Sequence, residues 1–304
     1  MSAPEAVTPV LTIGGYLGSG KTTLVNHLLR NANGRRLAVL VNEFGDLPID
    51  EDLIEATSDE LISIAGGCIC CSFGDDLMGA LQDMRQLSPP PDHIIIESSG
   101  VAIPGAIVAT MSLLSGFRSD GIAVVIDAET VRKHAQNDYI GDTIMRQLSD
   151  AEFIVVNKLD LVSADTATAL TEWLGEVAPN AIQTPSQFGQ VLPEAILGVV
   201  AAPGKGAKAQ HSDKLFESCV LSMTAPTDAK ALAEKLATGD LGVIRAKGYL
   251  HGSDGALWLI QTVGKRWEAH PVDDQHNTGI VCLGFRGQID VEAIARLPEK
   301  TSIN

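Results

Sequence analysis

The sequence predicts an α/β protein: a mostly parallel sheet covered by helices, followed by a small α+β C-terminal domain. Three observations carry this. Short apolar runs alternate with helical patterns from Val10 to about residue 200, the order of a parallel sheet with helices on both faces. Most polar segments with chemical potential directly follow an apolar run, where ligands bind in open α/β sheets. Residues 201–213 are small and polar and read as a linker, after which strands follow one another closely. The expected domains are therefore 1–200 and 214–304.

Residues 1–8 read as a loose arm. Residues 10–13 form the first strand, and a helix carrying Leu24, Val25, Leu28 and Leu29 runs to about Asn31. Residues 36–41 are a buried strand and 61–64 a short apolar run. Leu77, Leu81, Met84 and Leu87 mark one face of a helix that Pro89-Pro90-Pro91 stops. Residues 93–96 are a strand, Pro104 opens a helix reaching Leu114, and 121–126 are a strand ending at Asp127. A polar helical region leads to a strand at 153–156, a helix at 164–177, a short strand at 183–184 and a helical stretch at 192–200. Beyond the linker, strands are expected at 216–223, 243–250, 256–263, 267–272 and 280–285. Helices are expected at 227–237, capped by Thr227 or Asp228, and at 290–297.

Composition bounds the function. With 304 residues, 45% hydrophobic and 20% charged, the chain is an ordinary globular protein with a sizeable core. A net charge of −16 repels nucleic-acid backbones and anionic lipid, so neither is an expected partner. The N-terminus lacks a basic region and an apolar signal core, and no apolar run reaches membrane-spanning length, so the expected location is cytoplasmic. The oligomeric state is left open, a homo-oligomer included.

Gly15-Tyr16-Leu17-Gly18-Ser19-Gly20-Lys21-Thr22 spells G-x-x-x-x-G-K-[ST] between a strand and a helix, the context in which this phosphate-binding loop works. Its glycines let backbone N–H groups turn inward around phosphate oxygens, and the helix N-terminus adds partial positive charge. Gly15, Gly18, Ser19, Gly20, Lys21, Thr22 and Thr23 are the candidate phosphate residues, with Lys21 on the β/γ-phosphates and Thr22 on Mg²⁺. The fold class is therefore a P-loop NTPase. Glu97 ends a strand where such enzymes place a carboxylate for Mg²⁺, and the Gly100 N–H is positioned to sense a γ-phosphate. Asn157-Lys158-Leu159-Asp160 matches N-K-x-D. Asp160 can accept hydrogen bonds from guanine N1–H and N2, which adenine lacks. Asn157 can bond the base edge, and the Lys158 stem can cover a base face.

Cys68-Ile69-Cys70-Cys71 puts three of five cysteines within four positions. One cysteine there would be an ordinary buried residue; three make a soft donor set for a metal such as Zn²⁺. Adjacent Cys70 and Cys71 are poorly placed for a relaxed disulfide with each other. Cys219 and Cys282 lie in strand patterns and read as core.

Taken together, Gly15–Thr22, Asn42-Glu43-Phe44-Gly45 with Asp50, Gly67–Cys71, Glu97-Ser98-Ser99-Gly100 and Asn157–Asp160 occur in the order seen in the CobW-type GTPases, described as metallochaperones, and the chain resembles that family. Arg245–Leu250 and Leu283–Gly287 resemble its C-terminal domain. Related GTPases for urease, hydrogenase or methylmalonyl-CoA mutase maturation lack the C-x-C-C motif. The resemblance implies a GTPase that uses GTP and Mg²⁺ and delivers a divalent metal to a client metalloprotein. It implies Lys21, Glu97 and Asp50 in catalysis, Thr22 and Glu97 on Mg²⁺, and Cys68, Cys70 and Cys71 on the metal, with Glu43 and Asp46 as added carboxylates. Zn²⁺ is the first choice of metal; Co²⁺, for cobalamin synthesis, is the alternative, as is a GTP-gated metal sensor or buffer that does not deliver. One departure stands out: where many members carry a histidine-rich junction, this one holds only His211. The other histidines, among them His27, His93 and His134, read as surface or core. No residue presents itself as an arginine finger; Arg132 and Arg146 are the nearest candidates.

Overall fold

A computed structural model describes residues 7–32, 34–41, 62–65, 75–198, 216–223, 225–272 and 278–297. The chain divides into two compact units, one within residues 5–196 and the other within 197–304.

In the first unit the described strands are β1 (Thr8–Gly14), β2 (Leu37–Val41), β3 (Ile62–Ala65), β4 (His93–Glu97), β5 (Phe117–Asp127), β6 (Phe153–Asn157) and β7 (Ile182–Pro185). They pair in parallel in the order β3-β2-β4-β1-β5-β6-β7. The helices are α1 (Lys21–Arg30), α2 (Asp75–Gln86), α3 (Pro104–Met111), α4 (Val131–Ala135), α5 (Gly141–Asp150), α6 (Ala164–Val177) and α7 (Pro193–Leu197).

Alternation explains the layering. Val10, Ala38, Leu40, Ile94 and Ile96 meet Leu77, Leu81 and Met84 of α2 and Ile107 and Met111 of α3 in one apolar cluster. On the neighbouring strands Val124, Ile126, Ile154 and Val156 meet Ile144 and Leu148 of α5 and Leu170 and Leu174 of α6. Leu11, Ile13, Val39 and Ile95 alternate with these and are equally buried, so both faces are covered. α1 packs against β4 and buries Leu24, Val25 and Leu28. Pro104 opens α3, where its missing N–H costs nothing, and Ser163 caps α6 by accepting from the Thr166 N–H at 3.2 Å.

Most expected boundaries shift by a few residues, and three differences bear on the first unit. β5 begins at Phe117, four residues before the apolar run, with a register irregularity opposite Val10 and Leu11. The polar Arg118-Ser119-Asp120 stretch conceals it: Asp120 is fully buried and lies 3.5 Å from the His93 ring. The polar helical region is two helices, α4 and α5. α3 stops at Met111, leaving Leu113 at the surface.

The second unit is an antiparallel sheet in the order β11-β10-β9-β12-β8, built from β8 (Phe216–Leu221), β9 (Val243–His251), β10 (Leu257–Val263), β11 (Arg266–Val272) and β12 (Gly279–Phe285). α8 (Ala229–Thr238) lies against β9, β10 and β11, and α9 (Val291–Ala295) lies against β8. Leu232, Ala233 and Leu236 of α8 pack with Ala246, Ile260, Ile280 and Cys282.

Asp228 caps α8, its Oδ1 accepting from the Lys230 and Ala231 N–H groups at 3.0 and 3.1 Å. Asp228→Ala should lower stability by about 1 kcal/mol. Urea unfolding checks this: the midpoint falls while the slope stays unchanged.

Candidate functional site

The chemistry-bearing residues gather at the carboxyl edge of the parallel sheet because of its register. Ala65 pairs with Val41, Val41 with Glu97, Glu97 with Ile13, Ile13 with Ala123 and Ala123 with Phe153. One row thus crosses six strands, and β3, β2 and β4 end on it, one residue short of the end of β1. β5 and β6 run on beyond the row to the pair Asp127 and Asn157, about 13 Å further out at the usual strand rise. The chain crosses from β4 to β5 over β1, and that reversal at β1 is where open α/β sheets bind ligands.

The loop between β1 and α1 has the conformation its glycines permit. Gly15, Gly18 and Gly20 have φ of 132°, 73° and 104°, values that side chains rarely tolerate. A Cβ at Gly15 would strike the Val125 carbonyl, and one at Gly20 would strike the Asn157 amide. The Ser19 N–H donates to the Tyr16 carbonyl at 3.2 Å, turning the loop. Lys21 is buried and its Nζ reaches the Tyr16 carbonyl at 3.4 Å. Ser19 Oγ is buried with no hydrogen-bond partner among the described residues. A glycine cradle, an orphan hydroxyl and the N-terminus of a ten-residue helix fit a phosphate group.

Thr22 and Glu97 meet directly, the Thr22 hydroxyl donating to Glu97 Oε1 at 2.8 Å. Glu97 is buried at the end of β4. Two hard oxygens beside a phosphate cradle suit Mg²⁺. After Glu97 the Ser98 N–H donates to the Ile13 carbonyl at 2.8 Å, which ties the loop from Ser98 onward to β1.

Asn157 ends β6 and joins three segments. Its Nδ2 donates to the Ser19 carbonyl at 3.0 Å, and its Oδ1 accepts from the Gly189 N–H at 3.1 Å. The side chain read from sequence as touching the base edge is thus held on backbone. Lys158 takes a left-handed conformation, φ 61°, and its Nζ bonds Asp127 Oδ2 at 2.7 Å. That pair stretches the Lys158 stem between the ends of β5 and β6. Asp160 lies exposed in a short 3₁₀ turn, Leu159–Leu161. Thr23 is exposed on the first turn of α1.

Gln147, Gly189 and Asp127 are contributors the motifs do not announce. Gln147 on α5 is 1% exposed. Its Nε2 donates to the Gly100 carbonyl at 3.2 Å and the Ala102 carbonyl at 2.8 Å, fixing the segment after Glu97. The available signal was a polar residue beside Ile144 and Leu148 on the buried face of its helix. Gly189 carries no motif at all. The histidines are not gathered: His27 bonds the Val191 carbonyl at 2.7 Å, His93 faces Asp120, and His134 packs edge-on to Tyr16. Arg146 pairs with Asp142 at 2.9 Å, and Arg132 lies over Trp173. Glu43, Asp46, Asp50, Cys68, Cys70 and Cys71 lie outside the described residues. Among the described residues no group of three or more His, Cys, Asp and Glu is placed to hold a metal ion.

Asn157→Ala leaves a buried carbonyl and a buried N–H unpaired, which costs about 1–3 kcal/mol. Thermal unfolding of the variant should show a lowered midpoint. Asn157→Asp, which keeps the acceptor for Gly189 but sets a buried carboxylate oxygen against the Ser19 carbonyl, should also show a lowered midpoint.

Comparison with known proteins accords with this geometry. The family model described as CobW/HypB/UreG, nucleotide-binding domain, matches residues 9–185, and the model described as cobalamin synthesis protein cobW C-terminal domain matches residues 216–297. A zinc chaperone CobW of a Sinorhizobium species is 28% identical, covering 93% of this chain and 94% of its own. The zinc chaperone YjiA of Escherichia coli K12 is 35% identical, covering 59% of this chain and 56% of its own. The zinc-regulated GTPase metalloprotein activator 1 of Schizosaccharomyces pombe is 33% identical, covering 54% and 42%. With the phosphate loop, the Thr22–Glu97 contact and both family models in agreement, the chain belongs to the CobW/HypB/UreG family and carries that family's nucleotide-binding domain together with a CobW C-terminal domain.

Proposed function

We propose that this protein is a GTP-hydrolysing metallochaperone that binds Zn²⁺ through Cys68, Cys70 and Cys71 and passes it to a client metalloprotein under nucleotide control. The observation that carries the reading is the register row Ala65–Val41–Glu97–Ile13. Ala65, three residues before Cys68 in sequence, ends β3 at the edge where the phosphate loop begins. Only β2 separates β3 from β4, so Ala65 and Glu97 are two strand spacings, about 10 Å, apart. Relatives named as zinc chaperones favour Zn²⁺ over Co²⁺ as the cargo.

In this reading Lys21 and the backbone of 15–20 hold the phosphates, and Thr22 with Glu97 supply oxygens to Mg²⁺. Mg²⁺, when bound, neutralises charge on the β- and γ-phosphates. The Gly100 N–H contacts the γ-phosphate from a loop that Gln147 keeps in place. Asp160 accepts from guanine N1–H and N2, the Lys158 stem covers the base, and Asn157 holds the phosphate loop at the correct height beneath it. Asp50, in the segment after β2, joins Lys21 and Glu97 in hydrolysis, and Glu43 and Asp46 complete the metal's coordination; these three roles rest on family resemblance. GTP contacts the segments after β2 and β4 through its γ-phosphate and thereby completes the thiolate site between them in sequence; hydrolysis removes those contacts and releases the metal.

Two measurements test this. Asp160→Asn removes a charge-assisted hydrogen bond worth about 1.5–3 kcal/mol. Guanine nucleotide affinity should fall about 10–100-fold by that figure, and xanthine nucleotide, which carries a carbonyl at C2, should be favoured instead; unchanged GDP binding contradicts the assignment. Cys70→Ser should abolish stoichiometric Zn²⁺ binding in a chelator competition while GTP hydrolysis persists. Retained stoichiometric binding contradicts the thiolate site.

A further inference from the structure

Two cysteines of the second unit are brought together by the fold. β8 and β12 run antiparallel, and the register sets Cys219 directly opposite Cys282. Directly opposed residues of an antiparallel pair have Cα atoms about 4.5 or 5.5 Å apart. Both values fall within the roughly 4.4–6.8 Å that a disulfide spans, so the strand spacing admits a bond. Both thiols are free. Cys282 is fully buried beside Leu221, Ala246 and Ile280, while Cys219 is only partly buried at the margin of that cluster. β8 is the edge strand of its sheet. One thiol is therefore approachable from solvent and the other is not.

We propose that Cys219 and Cys282 are a redox-active dithiol that closes to an intramolecular disulfide, with a low-molecular-weight disulfide as oxidant. This stands apart from the nucleotide and metal chemistry above. The two thiols interact unequally. A hydrogen bond from Cys282 holds the Cys219 thiol below its ordinary range, against burial and the Glu217 charge. The same hydrogen bond, burial and the Cys219 charge push Cys282 well above it. The thiolate, which is the nucleophile, thus resides on the accessible sulfur.

The chemistry balances in two exchanges. The Cys219 thiolate attacks one sulfur of the small disulfide; that S–S bond breaks and one small thiolate leaves with the electron pair. The Cys282 thiol gives up its proton and its sulfur attacks Cys219, forming the protein disulfide and expelling the second small thiol. The two protein thiols lose two electrons and two protons, and the small disulfide is reduced to two thiols. The product fastens edge strand β8, the first strand of its sheet in sequence, to β12.

The chain has five cysteines, so the C68S/C70S/C71S variant of the full chain retains only this pair. The folded variant is incubated with oxidised glutathione, quenched in acid, unfolded and treated with N-ethylmaleimide, and its intact mass is read. The expected result is a loss of two hydrogens with no maleimide added, and full labelling at both positions after dithiothreitol. A persistent glutathione adduct, or two maleimides with or without the oxidant, overturns the proposal. The parent chain, oxidised in the same way and digested, covers the case in which the variant does not fold. A peptide joining Cys219 to Cys282 supports the proposal; cross-links confined to Cys68, Cys70 and Cys71 overturn it.

Discussion

Parallel strands are held in register by evenly spaced hydrogen bonds, and here that register levels the carboxyl ends of β3, β2, β4 and β1 on one row. Almost everything at the site follows from it. Because Glu97 is level with Ile13, its carboxylate meets the first turn of the helix that follows β1, and the Thr22 hydroxyl closes on it at 2.8 Å. A one-residue slip of β4 would point Glu97 to the opposite face and put Ile96 or Ser98 in its place. Ile94, Ile95 and Ile96 are all fully buried and would serve either register, so the flanking polar residues fix it: a shift would take His93 from Asp120 and Glu97 from Thr22.

Buried polar side chains then fix what register alone leaves loose. Asn157 joins the phosphate loop to the segment around Gly189, and Gln147 holds the carbonyls of Gly100 and Ala102. Each directs its hydrogen bonds to backbone, which holds an irregular loop by satisfying carbonyls and N–H groups that have no ladder partner. The Lys158–Asp127 ion pair does the same for the outer end of the site. Strand register and side-chain clamps thus act together on the phosphate loop and the segment after Glu97, while the Lys158–Asp127 pair ties the outer ends of β5 and β6.

Much of this was legible in the sequence because it is local. The glycine spacing from Gly15 to Gly20 states its own backbone conformation, and the isoleucine run at 94–96 states a strand buried on both faces. The start of β5 was not legible, because a buried Asp120 reads as a loop residue until the fold brings His93, far away in sequence, to 3.5 Å beside it and Arg118 to 3.9 Å. The partners of Asn157 and Lys158 were hidden for the same reason: the motif names the residues but not the backbone groups or the carboxylate they meet. Gln147 left a faint trace, a polar residue on the buried face of α5. The pairing of Cys219 with Cys282 left none, since strand register is decided by the whole sheet.

The central claim of the proposed function is that a terminal phosphate at the β1 loop and a metal at Cys68, Cys70 and Cys71 act on each other; what supports it is that β1 and β3, the strands preceding the two, end on one row of one sheet. Titration of Zn²⁺ into the protein held with a non-hydrolysable GTP analogue, and again with GDP, measures this directly. The predicted result is tighter Zn²⁺ binding in the analogue state by about 5–150-fold, the range of typical coupling energies, with Zn²⁺ tightening the analogue by the same factor. Equal Zn²⁺ affinities in the two states would contradict the claim.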